Sequence, residues 1–447
     1  MFTKLKLRIP FLHYRPELPE LLQAVLMVAV GFSAAPVLQE YLGLSYGAAL
    51  TAVAIAEALG LLHSLFSDPV VPGWIASALS LVLSYLGAYS VGLESIHAMI
   101  ALQLLVSVIF IVLGATGLAH KLMRVIPNSL KAGILLGAAV AAIGRVFGDS
   151  GYFSKYPLSI GSGTVVALFV LFSTMFKNMK EKWRAFREIG KYGMLSSIIV
   201  AMLVGFVSGE IQLPRVEWGF IPFSFGELFR NASVFSIGLP PLKMFLTALP
   251  TAIAVYIIAF GEIITEEAVI KECREARPEE PLSFSSNRSN VIAGIRNLIL
   301  ALVAPFTGLA GPLWAAVTVS IGERYKEGRS SMKSLLGGVG SFKLSTAVCV
   351  LFLPLASFLG PVLPVALACT LVVQGFACSY IAIEQVKDNK VSAGIAGLTG
   401  AVVYFADMNW GLLVGVAGYL LMEGGLQSII ARAVKRESPE KKLKKIG

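Results

Sequence analysis

Charge is what this chain has least of. Of 447 residues only 14% are Asp, Glu, Lys or Arg, while 56% are hydrophobic. The mean hydropathy of +0.76 lies far above that of a water-soluble chain of this length. No polar block long enough for a soluble domain interrupts the apolar segments. Cysteine and histidine are scarce too, four of each. Cys273, Cys349, Cys369 and Cys378 make no CxxC and have no histidine at ligand spacing, so neither a disulfide framework nor a metal site is expected. Also missing are a Gly-rich phosphate loop, an HExxH and a nucleophile followed by a base. An ATP-driven pump is disfavoured, and no enzymatic chemistry, catalytic residue or cofactor is expected. The opening MFTKLKLRIPFLHYRPELPE is polar for too long, and no small-residue cleavage site follows, so it does not read as a removable signal peptide.

What is present is a succession of apolar segments, the mark of an all-α polytopic membrane protein. The net charge of +10 falls in linkers between segments, a topological pattern rather than a nucleic-acid surface. Spans are expected at 21–38, 46–62, 69–87, 96–118, 129–147, 162–176 and 194–209 in a first half. A second half has them at about 244–270, 291–305, 306–325, 344–359, 363–383, 392–406 and 412–433. Residues 1–20 then form an N-terminal arm, 210–243 a connection whose SFGELFRNAS suits an interfacial helix, and 434–447 a basic tail. Lys and Arg mark the arm, the tail and the linkers after the fourth, sixth, eighth, tenth and twelfth spans, placing fourteen spans in a cell membrane with both termini cytoplasmic.

Two of these elements are broken. PVVPGWIASALS from Pro69 and FTGLAGPLWAAVTVS from Phe306 open with Pro and Gly instead of a helix cap, which enforces an extended stretch before the helix. They also align: at an offset of 240, Pro72 falls on Pro312, Trp74 on Trp314, Ala76 on Ala316 and Ser80 on Ser320. Each occupies the third span of a seven-span half, and an odd number of spans makes the second copy inverted in the bilayer. Two half-helix N-termini would then face one another near mid-membrane, with Trp74, Ile75, Trp314 and Ala315 just past the breaks, where free N–H groups favour an anionic or carbonyl-rich solute.

The eighth span carries IIAFGEIITEE. Glu262 precedes Lys271 by nine residues, about 13 Å of helix, in a hydrocarbon layer about 30 Å thick. A carboxylate at that depth is a candidate solute contact and proton carrier. Glu266 lies on the same helical stripe and Glu267 is turned away; both also suit a helix end reaching water. Glu57 reads as a satisfied structural acid with only His63 in helical reach. Arg296 and Asn297 either neutralise Glu262 or lie at the membrane edge. Gly133, Gly137 and Gly144 suggest close helix contact.

The first span LLQAVLMVAVGFSAAPVL, the two Pro/Gly elements, IPNSLKAGILLGAAVAAIG and FGEIITEE together resemble the nucleobase-cation symporter (nucleobase-ascorbate transporter, xanthine/uracil permease) family over essentially the whole chain. That resemblance implies the seven-plus-seven inverted fold, with a core domain from spans 1–4 and 8–11 moving against a gate from spans 5–7 and 12–14. It also implies proton- or sodium-coupled uptake of a nucleobase, with Glu262 and Gln23 in the site, Glu262 and, one turn beyond, Glu266 as coupling or proton-relay residues, and homodimerisation left open. The chain departs from the family in having Ala24 after Gln23, and Trp314 and Ala315 where a polar residue is usual. The sulphate permeases share this architecture, so an anion or carboxylate transporter is the alternative.

Overall fold

The structure, a computed structural model, describes residues 7–149, 151–191 and 194–424. Its first half contains α1 (Leu18–Phe32) and α2 (Ala34–Leu42), which continue one another past Ser33, then α3 (Tyr46–Leu65), α4 (Leu79–Leu86) and α5 (Leu93–Thr116). The chain goes on through α6 (Ala119–Val125), α7 (Asn128–Phe147), α8 (Pro157–Phe172), α9 (Thr174–Lys182), α10 (Arg184–Lys191) and α11 (Met194–Ser208). Two short helices, α12 (Phe225–Ala232) and α13 (Val234–Ile237), lie in the connection. The second half contains α14 (Leu242–Ala276), α15 (Ser286–Val303), α16 (Ala315–Lys326) and α17 (Leu335–Cys349). It continues with α18 (Leu353–Leu359), α19 (Leu363–Val386), α20 (Lys390–Phe405) and α21 (Met408–Gly418). Helix starts follow local chemistry: the side chains of Ser45, Ser334, Asn389 and Asp407 accept hydrogen bonds from the first-turn N–H groups of α3, α17, α20 and α21. Among the described residues there is no strand, only isolated bridges.

Among the described residues six helical runs are long and apolar enough to cross a membrane: Leu18–Leu42, Tyr46–Leu65, Leu93–Thr116, Asn128–Ser154, Leu242–Ala276 and Leu353–Val386. The pair α8 and α9, bent by 66°, makes a seventh at most. Fourteen full-length spans are not reached. Ala76–Leu86, Ser196–Ser208, Leu335–Cys349 and Lys390–Phe405 are apolar but shorter than the roughly 20 residues a bilayer core requires. Two expected boundaries also move. The sixth span ends at Phe172, where Ser173 caps a new helix. The eleventh begins at Leu335 rather than Leu344 because Ser334 caps it. The expected end of the fourteenth span and the basic tail lie outside the described residues.

Two sets of helices pack among themselves. In one, α5 lies between α14 and α15, α17 packs on α1 and α3, and α14 on α16. In the other, α7 packs on α19 and α20, α8 on α11, and α20 on α21. The glycines of α7 permit the second set its close approach. A Cβ on Gly133 would meet Thr399 at 2.5 Å, and one on Gly137 would meet Val403 at the same distance, so α7 and α20 touch nearly backbone to side chain. Between the two sets lies a cavity of about 2220 Å³ lined from both.

Candidate functional site

The floor of this cavity is the crossing of the two broken elements. Pro72 and Pro312 have no N–H to give a helix, and the chain runs extended through both segments before α4, entered by a 3-10 turn at Ala76–Ala78, and α16. They pair antiparallel, with Trp74 opposite Ala310. The Ile75 N–H donates to the Gly308 and Leu309 carbonyls (3.2 and 3.1 Å), that of Gly311 to Gly73 (3.0 Å), and that of Trp314 to Val71 (2.6 Å). Counting two residues outward from Trp74 and Ala310 in opposite directions sets Pro72 against Pro312, the two positions the 240-residue offset equates. Glycine is required at the contact: a Cβ on Gly73 would stand 3.1 Å from Trp314 Cβ, and one on Gly311 3.0 Å from the Trp74 carbonyl carbon. Leu309 is held at a φ of 45°, a left-handed conformation a branched side chain rarely takes.

Polar side chains of α5 and α15 hold the crossing. Asn297 uses its whole amide: Nδ2 donates to the Ala293 and Ala310 carbonyls (3.0 and 2.8 Å), while Oδ1 accepts from Ala310 N (2.9 Å) and Gln103 Nε2 (3.2 Å). Gln103 Oε1 accepts from Phe306 N at 3.1 Å. Arg296, buried beside it, sends Nη1 to the Gly311 carbonyl (2.8 Å) and Nη2 toward that of Gly73 (3.4 Å). It thereby ties both breaks together. Arg296 lines the cavity and forms no ion pair among the described residues. Arg296 and Asn297 are both buried within the protein.

Glu262 stands over the crossing from α14, half-buried and lining the cavity; its Oε2 is enclosed and without a hydrogen-bond partner, 3.0 Å from where a Gly311 Cβ would be. Gln23, Trp74, Trp314 and Ala315 line the same cavity. The Trp74 ring meets Phe306 edge-on at 5.3 Å, and Trp314 meets Phe342 at 5.7 Å, which leaves both indoles supported from behind. Two expected site residues are elsewhere. Ile75 is 1% exposed and does not line the cavity. Its side chain faces Gly311 while its N–H secures the crossing. Glu266 is fully buried and faces α15, where its Oε1 accepts from the Ser289 hydroxyl at 2.6 Å. Only Glu267 behaves as a residue near water, paired with His120 at 3.3 Å.

Lys343 escapes a reading by spans because it lies in the middle of α17, one residue ahead of where the apolar run was taken to begin. Its Nζ meets Glu57 Oε2 at 2.6 Å, both side chains are buried, and both line the cavity. Glu57 is thus satisfied, by a partner on α17 rather than by His63. A lone lysine after GGVG inside an apolar segment was the available signal.

Residues of the basic linkers also line the cavity: Lys121 and Arg124 of α6, Lys131 of α7, Lys180 of α9 and Arg324 of α16. Arg324 is paired with Glu20 of α1.

No protein-family model matches the chain, and no curated protein matches its sequence. Its fold is similar to that of solved structures. With the transmembrane domain of a cyanobacterium bicarbonate transporter, BicA, it shares 14% identity at a TM-score of 0.50, over 91% of this chain and 99% of that one. With SLC26A9 the values are 14% and 0.52, over 90% of this chain and 64% of that one. With the murine Solute Carrier 26 family member A9 anion transporter in its inward-facing state they are 12% and 0.53, over 91% and 68%. At such identities the likeness establishes the fold: the architecture expected of the sulphate permeases. It gives the nucleobase-cation symporter resemblance no support.

Proposed function

We propose that the chain is a secondary transporter that carries a small anion across a membrane by alternating access. The observation that carries this reading is the charge on the cavity floor. Among the described residues Glu57 and Lys343 neutralise one another, Arg296 forms no salt bridge, and Glu262 is the further ionisable side chain at the crossing. With Glu262 protonated the floor is positive by one charge, and the first N–H groups of α16, which lack intrahelical acceptors, add to it. An anion restores neutrality. A proton or a sodium ion at Glu262 compensates the anion's charge, which is how the site would couple the solute to an ion gradient. The solved neighbours described as a bicarbonate transporter and an anion transporter support the same class.

In this reading the halves form a seven-plus-seven inverted repeat, for which the facing of Pro72 and Pro312 speaks. The set around α5, α14 and α15 is the core that carries the solute, and the set around α7, α19 and α20 is the gate. The basic end is cytoplasmic by the positive-inside rule, which makes the cavity an inward-facing one. A heterocyclic anion keeps a place as the second reading because Trp74 and Trp314 both line the cavity within the span of Glu262.

Purified protein in proteoliposomes tests the assignment. Saturable uptake of radiolabelled bicarbonate or sulphate is expected, reduced at least tenfold in Arg296→Gln and partly retained in Arg296→Lys. Uptake of uracil in the absence of any anion uptake would overturn it.

A further inference from the structure

Behind the crossing, outside the cavity, three side chains form a row of oxygens that cannot be closed with two ionised acids. Ser289 on α15 is fully buried. Its hydroxyl oxygen is in hydrogen-bond contact with Asp68 Oδ2, from the loop between α3 and the first break, and lies 2.6 Å from Glu266 Oε1 on α14. Asp68 Oδ2 also lies 2.8 Å from His63 Nδ1. A hydroxyl carries one hydrogen and an ionised carboxylate none. Two contacts from one hydroxyl to two carboxyl oxygens therefore need a second hydrogen, and a carboxylic acid must supply it.

The neighbours say which acid it is. Arg296 Nη1 lies 3.5 Å from His63 Nε2 and can only donate, so the imidazole hydrogen sits on Nδ1 and points at Asp68. Arg288 Nη2 is 3.8 Å from Asp68 Oδ1. Asp68 is the ionised member. Glu266 Oε2 and Asp68 Oδ1 are both buried without a hydrogen-bond partner, but among the described residues only Asp68 has cationic or N–H donors beside it, Arg288 and His63, which leaves Glu266 in the setting more hostile to a charge. It is the acid that donates to Ser289, which in turn donates to Asp68. The other ionisable groups near the row are Glu262 and Glu267 on the same helix and His120, which binds Glu267 from α6. Helices α5 and α16, also packed on α14, carry their ionisable groups at their ends, Glu94 and His97 in one and Glu323, Arg324 and Lys326 in the other.

We propose that Asp68, Ser289 and Glu266 form a proton-binding site separate from the solute cavity, which holds one proton and exchanges it during the transport cycle. Loss of that proton sets two carboxylates against one hydroxyl, and their repulsion pushes α14 away from the loop that leads into Val70–Gly73. His63 and Arg296 pass the change to the Gly73 and Gly311 carbonyls. The storage of the proton stands on hydrogen counting alone; its exchange during transport rests on the reading of the chain as a transporter.

Infrared difference spectroscopy on the full-length protein in lipid, with no transported solute present, reads the site directly. From mildly acid to mildly alkaline pH, a carboxylic-acid carbonyl band distinct from that of Glu262 titrates reversibly in the wild type and persists in Glu262→Gln. It is missing when Glu266→Gln is combined with Glu262→Gln, the amide at 266 keeping a donor toward Ser289. Its midpoint moves in Asp68→Asn and in Ser289→Ala. If Glu266→Gln fails to fold, by circular dichroism, the other two variants carry the test. Uptake by Glu266→Gln proteoliposomes no longer responds to a pH gradient. A band that survives Glu266→Gln combined with Glu262→Gln, or ignores both Asp68→Asn and Ser289→Ala, overturns the proposal. So does a wild-type band abolished when sodium replaces choline, which would make this a sodium site. A band behaving as expected with no anion uptake overturns the transport reading and leaves the proton site standing.

Discussion

Lys343 and Glu57 show how a single residue sets the balance at this site. Two opposite charges withdrawn from water repay their desolvation only while both are present, and removing one leaves the other uncompensated. Lys343→Met is expected to lower stability by about 3–5 kcal/mol, read as a loss of thermal stability in the purified protein. The double variant Lys343→Met with Glu57→Leu should recover most of it, since an apolar pair fills the same space without a stranded charge. Glu262 differs because its Oε2 has no partner to lose. Glu262→Gln should leave the fold and the melting temperature nearly unchanged, cut uptake at least tenfold, and abolish its response to a pH gradient. Unaltered transport in that variant would remove Glu262 from the mechanism.

At the scale of the element, the crossing depends on the missing side chains of Gly73 and Gly311 as much as on what is present. A valine at Gly311 must displace the Trp74 backbone and crowd Glu262, both 3.0 Å from its Cβ. Gly311→Val is therefore expected to abolish uptake while circular dichroism still reports a helical protein. The broken elements were legible in the sequence because Pro and Gly override helix formation wherever they fall, and Glu262 because an acid inside an apolar run is conspicuous. Ile75 and Glu266 were misplaced for a different reason. Sequence spacing says which residues follow a break or share a stripe, but a 3-10 turn at Ala76–Ala78 and the packing of α15 on α14 decide which of them meet the cavity. Asn297 and Gln103 were silent as partners because an uncharged amide in an apolar helix has no signature until its hydrogen bonds are seen. Lys343 was hidden by glycines that looked like a loop, while Gly60 in fact makes room for it: a Cβ there would lie 2.5 Å from Lys343 Cε.

Across the whole molecule, helix lengths explain why a count of spans made from hydropathy exceeds the count of full-length crossing helices. Helices such as α4 and α16, 8 and 12 residues long, are too short to traverse a bilayer alone. The proposed inward-facing state gives a direct check on orientation. All four native cysteines are free and buried, so the wild type should resist a membrane-impermeant maleimide. Thr265→Cys places a thiol at an exposed position on the cavity wall. It should be labelled from the basic end only, which means in inside-out vesicles and not in intact cells. Labelling in intact cells would reverse the topology.

The two broken segments are joined through amides and carbonyls of the main chain and through Arg296, not through the indoles that look into the hollow. Residues 74, 314 and 315 can accordingly be exchanged as a set without unfastening the joint beneath them. Diversification of what such a protein carries, in nature or by directed evolution, is cheapest at those three positions, where chemical preference can be rewritten while the moving part stays as it is.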